Sequence, residues 1–548
     1  MPVVELTFDR LSKYLPRAKV DKVLEMLPYA ALDIEGVEDR RIRVEYNPNR
    51  PDFSSDYGIF RALKGLLEVE TGMPKFTLGR NSSVSVIADR EVEKIRPYVS
   101  ALVAMNGRLD DDAIKQLISM QEDLNNGIGR RRKKASIGLH NLDPIQFPAK
   151  YTAVGEDYSF VPLAGSSQMT IKQILRDSEA GKQYGHIIEK FGKYPLIVDK
   201  AGSVLSLPPI INGNTTRIDT KTRSLFVEVT ATDRKAAEDI LAVIAVTLHD
   251  AGFRIGTVSV RSGGGKIATP RMTPTNVVVE LDYVNSVLGL ELDCGQIIRC
   301  LRRSRLDATA KGRKIICKVP RYRTDISHPI DIVEEVAIGY GVYNLVPRIP
   351  SSSSTGQRND LSRHFSAIRE TLAGLGMLES LNFSLTSSQV QYDSFGRNSG
   401  TALTVDGSKS VEHEVLRDSL IPSLLHALSR NVHEEYPQRL FEIGKVFHKN
   451  REASERWSAA AVIAHAEAGY TEIKSVVQAM LRLCFLKEPS TRAAQSPFFI
   501  AGRSAEILVD NKVIGSVGEI VPLALATLKL RVPVAAFELN LGEFLIKD

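Results

Sequence analysis

A run of acidic residues near position 330 is the pattern with the clearest chemistry. Its carboxylates belong to Asp325, Asp331, Glu334 and Glu335. Pro329 suits the first turn of a helix that continues to Tyr340, so the last three acids, spaced i, i+3 and i+4, share one helix face. Carboxylate oxygens suit Mg²⁺, which binds few protein ligands and keeps several waters. The alternative is acidic decoration of a helix N-terminus, which the helix dipole favours.

Five consecutive cations form a second chemical feature. They are Arg130, Arg131, Arg132, Lys133 and Lys134. Such a run can neutralise the phosphates of RNA, and a solvated basic loop is the alternative. His140 lies close to Asp143 and offers a general-base pair, although a single histidine is more often structural.

Two loops rich in small polar residues, 207–216 and 228–233, each lie beside an apolar strand. Their side chains can form a hydrogen-bonding pocket, and the same residue types are equally typical of turns and helix caps. The sequence has no Walker-type phosphate loop, no dinucleotide fingerprint after a strand and no nucleophile elbow. Four cysteines without C-x-x-C spacing do not indicate a zinc site or a disulfide framework.

The elements that must position these residues alternate between strands and helices, which predicts a fold of mixed class. The expected strands are 3–8, 84–87, 98–105 and 224–230, and the expected helices are 11–27 and 56–68. Asp233 is placed to cap a further helix that ends at Gly252.

The last third of the chain predicts an antiparallel sheet with helices beside it. The expected helices are 361–378 and 419–432, and the expected strands are 380–385, 439–446, 505–509 and 534–539. Two segments are typical of flexible linkers, the glycine triplet of 261–266 and the serine run of 350–356.

The length and composition of the chain limit the broad classes of protein to which it can belong. A chain of 548 residues predicts roughly three to five modules. With 43% hydrophobic and 25% charged residues it is neither collagen-like nor broadly disordered. A net charge of +6 permits a polyanionic partner without requiring one. The longest apolar stretch, 240–248, is too short for a membrane helix, and the N-terminus lacks a secretory pattern, so a cytoplasmic protein is expected.

Several long stretches resemble the phenylalanyl-tRNA synthetase β subunits of the archaeal and eukaryotic type. They occur in order along the chain, at 45–58, 205–213, 320–341, 382–386, 415–425, 439–446, 515–522 and 536–541. The resemblance covers essentially the whole chain. It implies an α+β multidomain protein that pairs with an α subunit in an α2β2 assembly, with ATP and phenylalanine activated on the α subunit.

The resemblance also implies a division into domains. These are an N-terminal α/β region at 1–90, a tRNA-editing domain of mixed strands and helices at 91–260, a small magnesium-contacting α/β module at 267–349 and a class II synthetase-like core at 357–548. The core is expected to be an antiparallel sheet with helices and to lack catalysis. Its late strand at 535–541 contains no arginine, so nothing obvious there neutralises ATP phosphates.

Site residues follow from the same resemblance. Magnesium, shared with the α subunit, is assigned to Asp325, Asp331, Glu334 and Glu335. The editing pocket, which hydrolyses tyrosine mischarged onto tRNA(Phe), is assigned to Leu207, Asn212, Thr216, Glu228 and Thr230. Glu228 and Thr230 are the expected tyrosine discriminators. The alternatives are a free-standing deacylase of mischarged tRNA and a non-enzymatic tRNA-binding scaffold.

Overall fold

The computed structural model describes residues 2–16, 18–263, 265–347, 349–351, 353–408, 410–449 and 452–545. The chain folds into two compact units, Met1–Arg348 and Ile349–Asp548. Helices and sheets occur in both units, as the predicted mixed multidomain class requires. Within the described ranges, no helix is long and apolar enough to cross a membrane.

The first unit begins with a three-stranded antiparallel sheet of order β1-β3-β2. Its elements are β1 (Val3–Thr7), α1 (Phe8–Tyr14), α2 (Val20–Met26), β2 (Leu32–Glu38), β3 (Arg41–Tyr46) and α3 (Asp56–Leu66). The single helix predicted over 11–27 is wrong, because two short helices lie on either side of Pro16. Proline has no N–H to donate, and its ring hinders the preceding turn. The helix predicted at 56–68 is confirmed as α3.

A ten-stranded mixed sheet follows, with β15 paired to β14 beside the path β12-β11-β10-β7-β4-β14-β5-β13-β6. The elements of this region are β4 (Gly79–Ala88), β5 (Tyr98–Met105), α4 (Asp111–Asn126), β6 (Ala135–Asn141), β7 (Ala149–Val154), β8 (Ser159–Phe160), β9 (Met169–Thr170), α5 (Ile171–Asp177), α6 (Glu179–Tyr184), β10 (Tyr194–Val198), β11 (Val204–Leu207), β12 (Ile211–Asn212), β13 (Leu225–Ala231), α7 (Arg234–Asp250), β14 (Arg254–Ser262) and β15 (Gly265–Thr269). Strands β8 and β9 pair only with each other within the described strands.

Both faces of this sheet are buried. Helices α4 and α7 pack on one face, where Val227 and Val229 of β13 point into the core. Phe226 of the same strand lies in the core on the other face, beside α5 and α6. The alternation expected of a strand therefore holds along β13. The predicted cap is confirmed, since Asp233 Oδ1 accepts a hydrogen bond from the Ala236 N–H at 2.8 Å.

The glycine-rich segment 261–266 is not a linker. Strands β14 and β15 form an antiparallel hairpin across it, with Arg261 opposite Lys266. Gly265 has a φ of +115°, which glycine adopts readily and other residues do not. The glycines thus serve a turn, although Gly264 lies outside the described residues. Because β4 and this hairpin belong to the same sheet, the sheet extends on both sides of the predicted range 91–260.

The first unit ends with a three-stranded antiparallel sheet of order β16-β18-β17 and helices packed against it. Its elements are β16 (Thr275–Glu280), α8 (Leu281–Leu288), α9 (Cys294–Arg303), β17 (Asp307–Lys311), β18 (Lys314–Val319) and α10 (Pro329–Tyr340). Helix α10 confirms the helix predicted from Pro329 to Tyr340.

The second unit is built on a seven-stranded sheet of order β19-β23-β24-β28-β27-β26-β25, antiparallel except for the pair β19 and β23. Its elements are α11 (Asp360–Gly374), β19 (Leu378–Glu379), β20 (Leu385–Thr386), α12 (Ser388–Gln391), β21 (Leu403–Thr404), β22 (Val415–Leu416), α13 (Ile421–Arg430), β23 (Gln438–Lys449), β24 (Ala453–Ala464), α14 (Tyr470–Phe485), β25 (Ser490–Ala493), β26 (Phe499–Val509), β27 (Lys512–Ile520), α15 (Pro522–Thr527), β28 (Val534–Asn540) and α16 (Gly542–Leu545).

Helices α11 and α14 cover one face of this sheet, and α13 and α15 cover the other. The predicted antiparallel sheet with flanking helices is therefore present. The strand predicted at 380–385 is wrong, because 380–384 lies between two short strands, β19 and β20, that belong to different sheets. Within 350–356, the predicted linker, Ser352 lies outside the described residues.

Candidate functional site

A cavity lies where the two ends of the ten-stranded sheet meet. Ser206 on β11, near one end of the strand path, donates a hydrogen bond from Oγ to Glu228 Oε1 on β13 at 2.8 Å. Asn212 on β12 donates from Nδ2 to the carbonyl oxygen of Leu139 on β6 at 3.2 Å. We call this junction the seam. Side chains rather than a strand ladder bridge it among the described strands.

The seam cavity has a volume of about 530 Å³, within the range of small-molecule sites. Most of its wall is apolar and comes from α4 and from the loops after β8 and β11. The apolar lining includes Ile114, Leu117, Ile118, Leu163, Leu207, Pro208, Pro209, Ile210 and Ile211. The polar lining residues are Ser206, Asn212, Thr216, Glu228, Gln121, Glu122, Arg132, Ser136 and Arg217. The cavity therefore suits a ligand with an apolar body and a few hydrogen-bonding groups.

Glu228 is the charged group buried most deeply in this cavity. Glu228 is 2% exposed, and its Oε2 has no hydrogen-bond partner within the described part of the chain. Strand pairing places Glu228 opposite Gly138 of β6. A Cβ at position 138 would collide with Glu228 Oε1 and crowd His140 Nε2. Glycine at this position is thus what lets the carboxylate lie over the strand.

His140 contacts Thr216 and not Asp143. Its Nδ1 lies 2.8 Å from Thr216 Oγ1, and its Nε2 lies 3.8 Å from Glu228 Oε1. The predicted pair with Asp143 is wrong, because the His140 side chain is fully buried whereas Asp143 lies in the exposed turn after β6. The His140 imidazole is therefore buried between the Thr216 hydroxyl and the Glu228 carboxylate, both of which line the cavity.

The structure places the five predicted pocket residues unequally. Leu207, Asn212, Thr216 and Glu228 line one cavity. Thr230 lies behind it, where its Oγ1 is 3.1 Å from Ser136 Oγ and 3.4 Å from Arg96 Nε.

Arg96 is a neighbour of the site that the sequence did not single out. It is 1% exposed, and it donates from Nη2 to the Thr230 carbonyl at 2.8 Å and from Nη1 to the Arg132 carbonyl at 3.1 Å. Burial lowers the pKa of its guanidinium, and no carboxylate of the described residues pairs with it. Nothing in the sequence around Arg96 signals this role, because the contacts come from residues 36 and 134 positions away.

The basic segment 130–134 divides into outward and inward residues. Arg130, Arg131 and Lys133 are exposed. Arg132 instead turns inward and donates from Nη1 to the carbonyl oxygens of Pro209 and Ile210, at 3.2 and 3.0 Å. Its Nη2 contacts Glu122 at 2.7 Å, and its guanidinium lies 4.3 Å from the centre of the Tyr184 ring. Arg132 therefore braces the wall of the seam cavity.

The acidic cluster at α10 is partly neutralised within the chain. Arg323 pairs with Asp325 at 2.6 Å and also with Glu335. Asp331 Oδ2 accepts hydrogen bonds from the N–H groups of Ser327 and His328, at 2.8 and 2.7 Å. Two of the four predicted magnesium ligands thus share an arginine, and a third caps the helix.

Glu334 is the exception in this cluster. Among the described residues it has no ion pair, and burial together with the charges of Glu335 and Asp325 raises the pKa of its carboxyl. The negative charge of Glu334 is therefore not balanced by an ion pair among the described residues. We call this part of the acidic cluster the Glu334 corner. No group of three or more His, Cys, Asp or Glu side chains that could hold a metal ion occurs in the described ranges. The donors suit Mg²⁺ in type, but they do not converge in sufficient number within the part of the chain that the structure describes.

In the second unit, the charged side chains Arg439 and Glu442 of β23 are each paired with a neighbour. Arg439 pairs with Glu472 of α14 at 2.6 Å, and buried Glu442 pairs with Arg417 at 2.6 Å. Both charges are therefore balanced by ion pairs within the second unit.

Comparison with known proteins agrees with this architecture. Residues 277–342 match the family described as tRNA synthetase B5 domain, and residues 345–541 match the family described as phenylalanyl tRNA synthetase beta chain CLM domain. Both matched families are domains of tRNA synthetases.

Full-length relatives narrow this class. The phenylalanine–tRNA ligase beta subunit of Archaeoglobus fulgidus is 38% identical over 547 residues, which is 99% of each chain. That of Methanocaldococcus jannaschii is 36% identical and covers 99% of this chain and 100% of the relative. An N-terminal fragment of the Pyrococcus horikoshii beta subunit, known as a crystal structure, matches with a TM-score of 0.60 and 33% identity, over 62% of this chain and 99% of the fragment. The chain belongs to the family of archaeal phenylalanine–tRNA ligase beta subunits, which confirms the resemblance.

Proposed function

We propose that this chain supports phenylalanine attachment to tRNA(Phe) as the partner of a catalytic α subunit, and that its seam cavity hydrolyses Tyr-tRNA(Phe). The observation that carries the second part is the unpartnered Glu228 Oε2, buried in a largely apolar cavity. A buried carboxylate oxygen without a donor is costly, and a ligand hydroxyl would satisfy it. Tyrosine differs from phenylalanine by such a hydroxyl.

Selection by a second site has a clear physical reason. An apolar pocket built for phenylalanine rejects an added hydroxyl by only about 10², whereas a pocket that binds the hydroxyl can discriminate far more strongly. In the seam cavity the apolar wall would hold the aromatic ring, and Glu228 Oε2 would accept a hydrogen bond from the phenol hydroxyl. Water then attacks the ester carbonyl carbon. The bond to the terminal ribose oxygen breaks, that oxygen takes a proton, and free tyrosine leaves as its carboxylate with a proton released to solvent.

The second unit supplies a candidate surface for the α subunit. Beside the edge strand β19, Leu381 is 89% exposed and Phe383 is 79% exposed. Leu378 on β19 itself is also exposed. Apolar side chains clustered at a sheet edge favour a protein partner over solvent. We infer that this edge binds the α subunit, which would bind ATP. We also infer that the core of the second unit lacks catalysis, because Arg439 is paired with Glu472 and Glu442 with Arg417.

We propose that Mg²⁺ binds at the Glu334 corner only in the assembled enzyme. Glu334, Asp325 and Glu335 would contribute oxygens, and the α subunit would complete the set, because the described residues of this chain offer too few converging ligands. The ion would offset the charge that Arg323 leaves uncompensated. In the expected outcome, Mg²⁺ strengthens binding of α to the wild-type chain about tenfold and has little effect on Glu334→Gln. Equal effects on both chains would remove Glu334 from the site.

For tRNA, the exposed cations Arg130, Arg131 and Lys133 are the proposed contacts on this chain. Their positions at the rim of the segment that Arg132 anchors to the cavity wall support this assignment. Phosphate contacts of this kind position a nucleic acid without reading its sequence.

The test is a reconstitution. Phenylalanine-dependent ATP–pyrophosphate exchange is measured with the chain alone and with its α subunit, and hydrolysis of Tyr-tRNA(Phe) is measured in the complex. We expect exchange only in the mixture and hydrolysis that Glu228→Gln reduces about 10²-fold, with phenylalanine charging retained. Hydrolysis without any contribution to exchange would favour a free-standing deacylase. Binding of tRNA without either activity would favour a scaffold.

A further inference from the structure

The hydrogen bond between His140 and Thr216 raises the question of which way the Thr216 hydroxyl points. His140 is fully buried, and its Nε2 has no hydrogen-bond partner within the described part of the chain. Its Nδ1 lies 2.8 Å from Thr216 Oγ1. Which of these two atoms donates depends on which ring nitrogen carries the proton, because neutral imidazole has one donor and one acceptor.

The neighbours of Nε2 decide between the two tautomers. Glu228 Oε1 lies 3.8 Å from Nε2 and already accepts a hydrogen bond from Ser206. A carboxylate favours an N–H pointing towards it and disfavours a lone pair there. The proton therefore belongs on Nε2, which leaves Nδ1 as an acceptor.

From this arrangement, and resting on the proposed hydrolytic function, we infer that His140 is a positioning residue for hydrolysis that acts through Thr216. With Nδ1 as acceptor, the Thr216 hydroxyl must donate its hydrogen to the imidazole. Its oxygen lone pairs then face the cavity, where Thr216 is part of the lining. They can accept a hydrogen bond from the attacking water and orient its oxygen towards the ester carbonyl.

The strand pairing of the sheet and the turn after β12 position His140, Glu228 and Thr216. His140 and Glu228 lie on neighbouring strands, β6 and β13, whose pairing sets Gly138 opposite Glu228 and His140 opposite Phe226. Thr216 lies in the short 3₁₀ turn after β12, on the other side of the seam. The hydrogen bond between Thr216 and His140 therefore spans the seam. No Asp or Glu other than Glu228 is paired with His140 among the described residues.

Two substitutions separate the roles of the two ring nitrogens. The amide of asparagine occupies nearly the position of Nδ1, so His140→Asn keeps a partner for Thr216. The amide of glutamine reaches the position of Nε2, so His140→Gln keeps the contact near Glu228 and loses the one to Thr216. Assays use the complete complex with the α subunit, with Tyr-tRNA(Phe) as substrate under single-turnover conditions.

We expect His140→Gln to lower the hydrolysis rate at saturating enzyme about tenfold or more with the half-saturating concentration nearly unchanged, and His140→Asn to lie within about threefold of wild type. Thr216→Val should match His140→Gln. The double variant His140→Gln/Thr216→Val should lose no more than either single variant, because both remove one interaction. His433→Gln, at an exposed histidine of the second unit, is the matched control and should leave the rate unchanged.

The outcomes are distinct. Equal losses in His140→Asn and His140→Gln, or additive losses in the double variant, would overturn the positioning role while hydrolysis by wild type upholds the proposed function. The positioning role would also be overturned if the variants changed only the enzyme concentration that gives half of the maximal rate and left the rate at saturation unchanged. Such a change would indicate a role in substrate binding. No hydrolysis by the wild-type complex would overturn the proposed function and this inference together.

Discussion

Arg132 and Ile210, which are 78 residues apart, are joined by a hydrogen bond of 3.0 Å from the arginine Nη1 to the isoleucine carbonyl oxygen. A segment whose composition suggests phosphate binding is thereby tied to the wall of an apolar cavity. The basic run has two physical roles as a result. Its exposed cations face solvent, and its central arginine fixes the shape of the site.

This division predicts different effects for neighbouring arginines. Arg132→Met should reduce hydrolysis of Tyr-tRNA(Phe) about tenfold, because three hydrogen bonds of the guanidinium to the cavity wall and to Glu122 are lost. Deacylation kinetics measure the loss.

Arg131→Met is the matched control for that experiment. Arg131 is exposed, so its loss should weaken tRNA binding and lower the salt dependence by about one unit of slope, with the hydrolysis rate at saturation kept. Equal losses of that rate in both variants would contradict the division of roles.

Gly138 should tolerate no side chain. In Gly138→Ala the added methyl would collide with the Glu228 carboxylate and the His140 imidazole, so hydrolysis should fall at least about tenfold. Gly155→Ala is the control, since no atom lies near the position that its methyl group would take and its backbone does not require glycine. An active Gly138→Ala variant would show that Glu228 can move without consequence.

The exposed edge of the second unit should carry the affinity for the α subunit. Replacing Leu381 and Phe383 together by aspartate should weaken association at least about tenfold, because charges would replace buried apolar area at the interface. Sedimentation of the variant chain mixed with the α subunit measures this association. Leu486→Asp alters a side chain that is equally exposed but lies after α14, and it should bind α normally.

The Arg323 pair predicts a pH-dependent contribution to stability. Burial opposes ionisation of Asp325, but the Arg323 guanidinium outweighs it and holds the pKa of that carboxyl below its ordinary value. A depressed folded pKa stabilises the fold above the unfolded pKa of about 3.9, and that contribution is lost as pH falls through the folded pKa. Asp325→Asn should therefore lower the free energy of unfolding by about 2 kcal/mol at pH 7 and by progressively less below pH 4.

Urea unfolding at a series of pH values measures this difference. The control is Asp282→Asn, which removes an exposed ion pair with Arg313 and should change stability little at any pH. A constant difference between wild type and Asp325→Asn across the series would contradict the assigned pairing.

The sequence predicts local structure well where one segment determines it. The Asp233 cap and α7, α10 from Pro329, and the strand that carries Glu228 all follow from short patterns. The seam cannot be predicted from short patterns, because β6 and β11 come together only through the path of the other strands of the sheet. Leu207, Asn212, Thr216 and Glu228 can be grouped through family resemblance, whereas sequence proximity favours the wrong partner, Asp143, for His140, and Arg96 gives no signal at all.

The seam also has a consequence for heat tolerance. Strand ladders hold the rest of the sheet, but among the described residues the two sides of the cavity are joined by side chains such as Ser206, Asn212 and His140. Such a junction opens at lower free energy than the sheet around it. On warming, the hydrolysis of Tyr-tRNA(Phe) that we propose for this cavity should be lost before the protein unfolds, so that tyrosine would be misincorporated more often while phenylalanine charging continued.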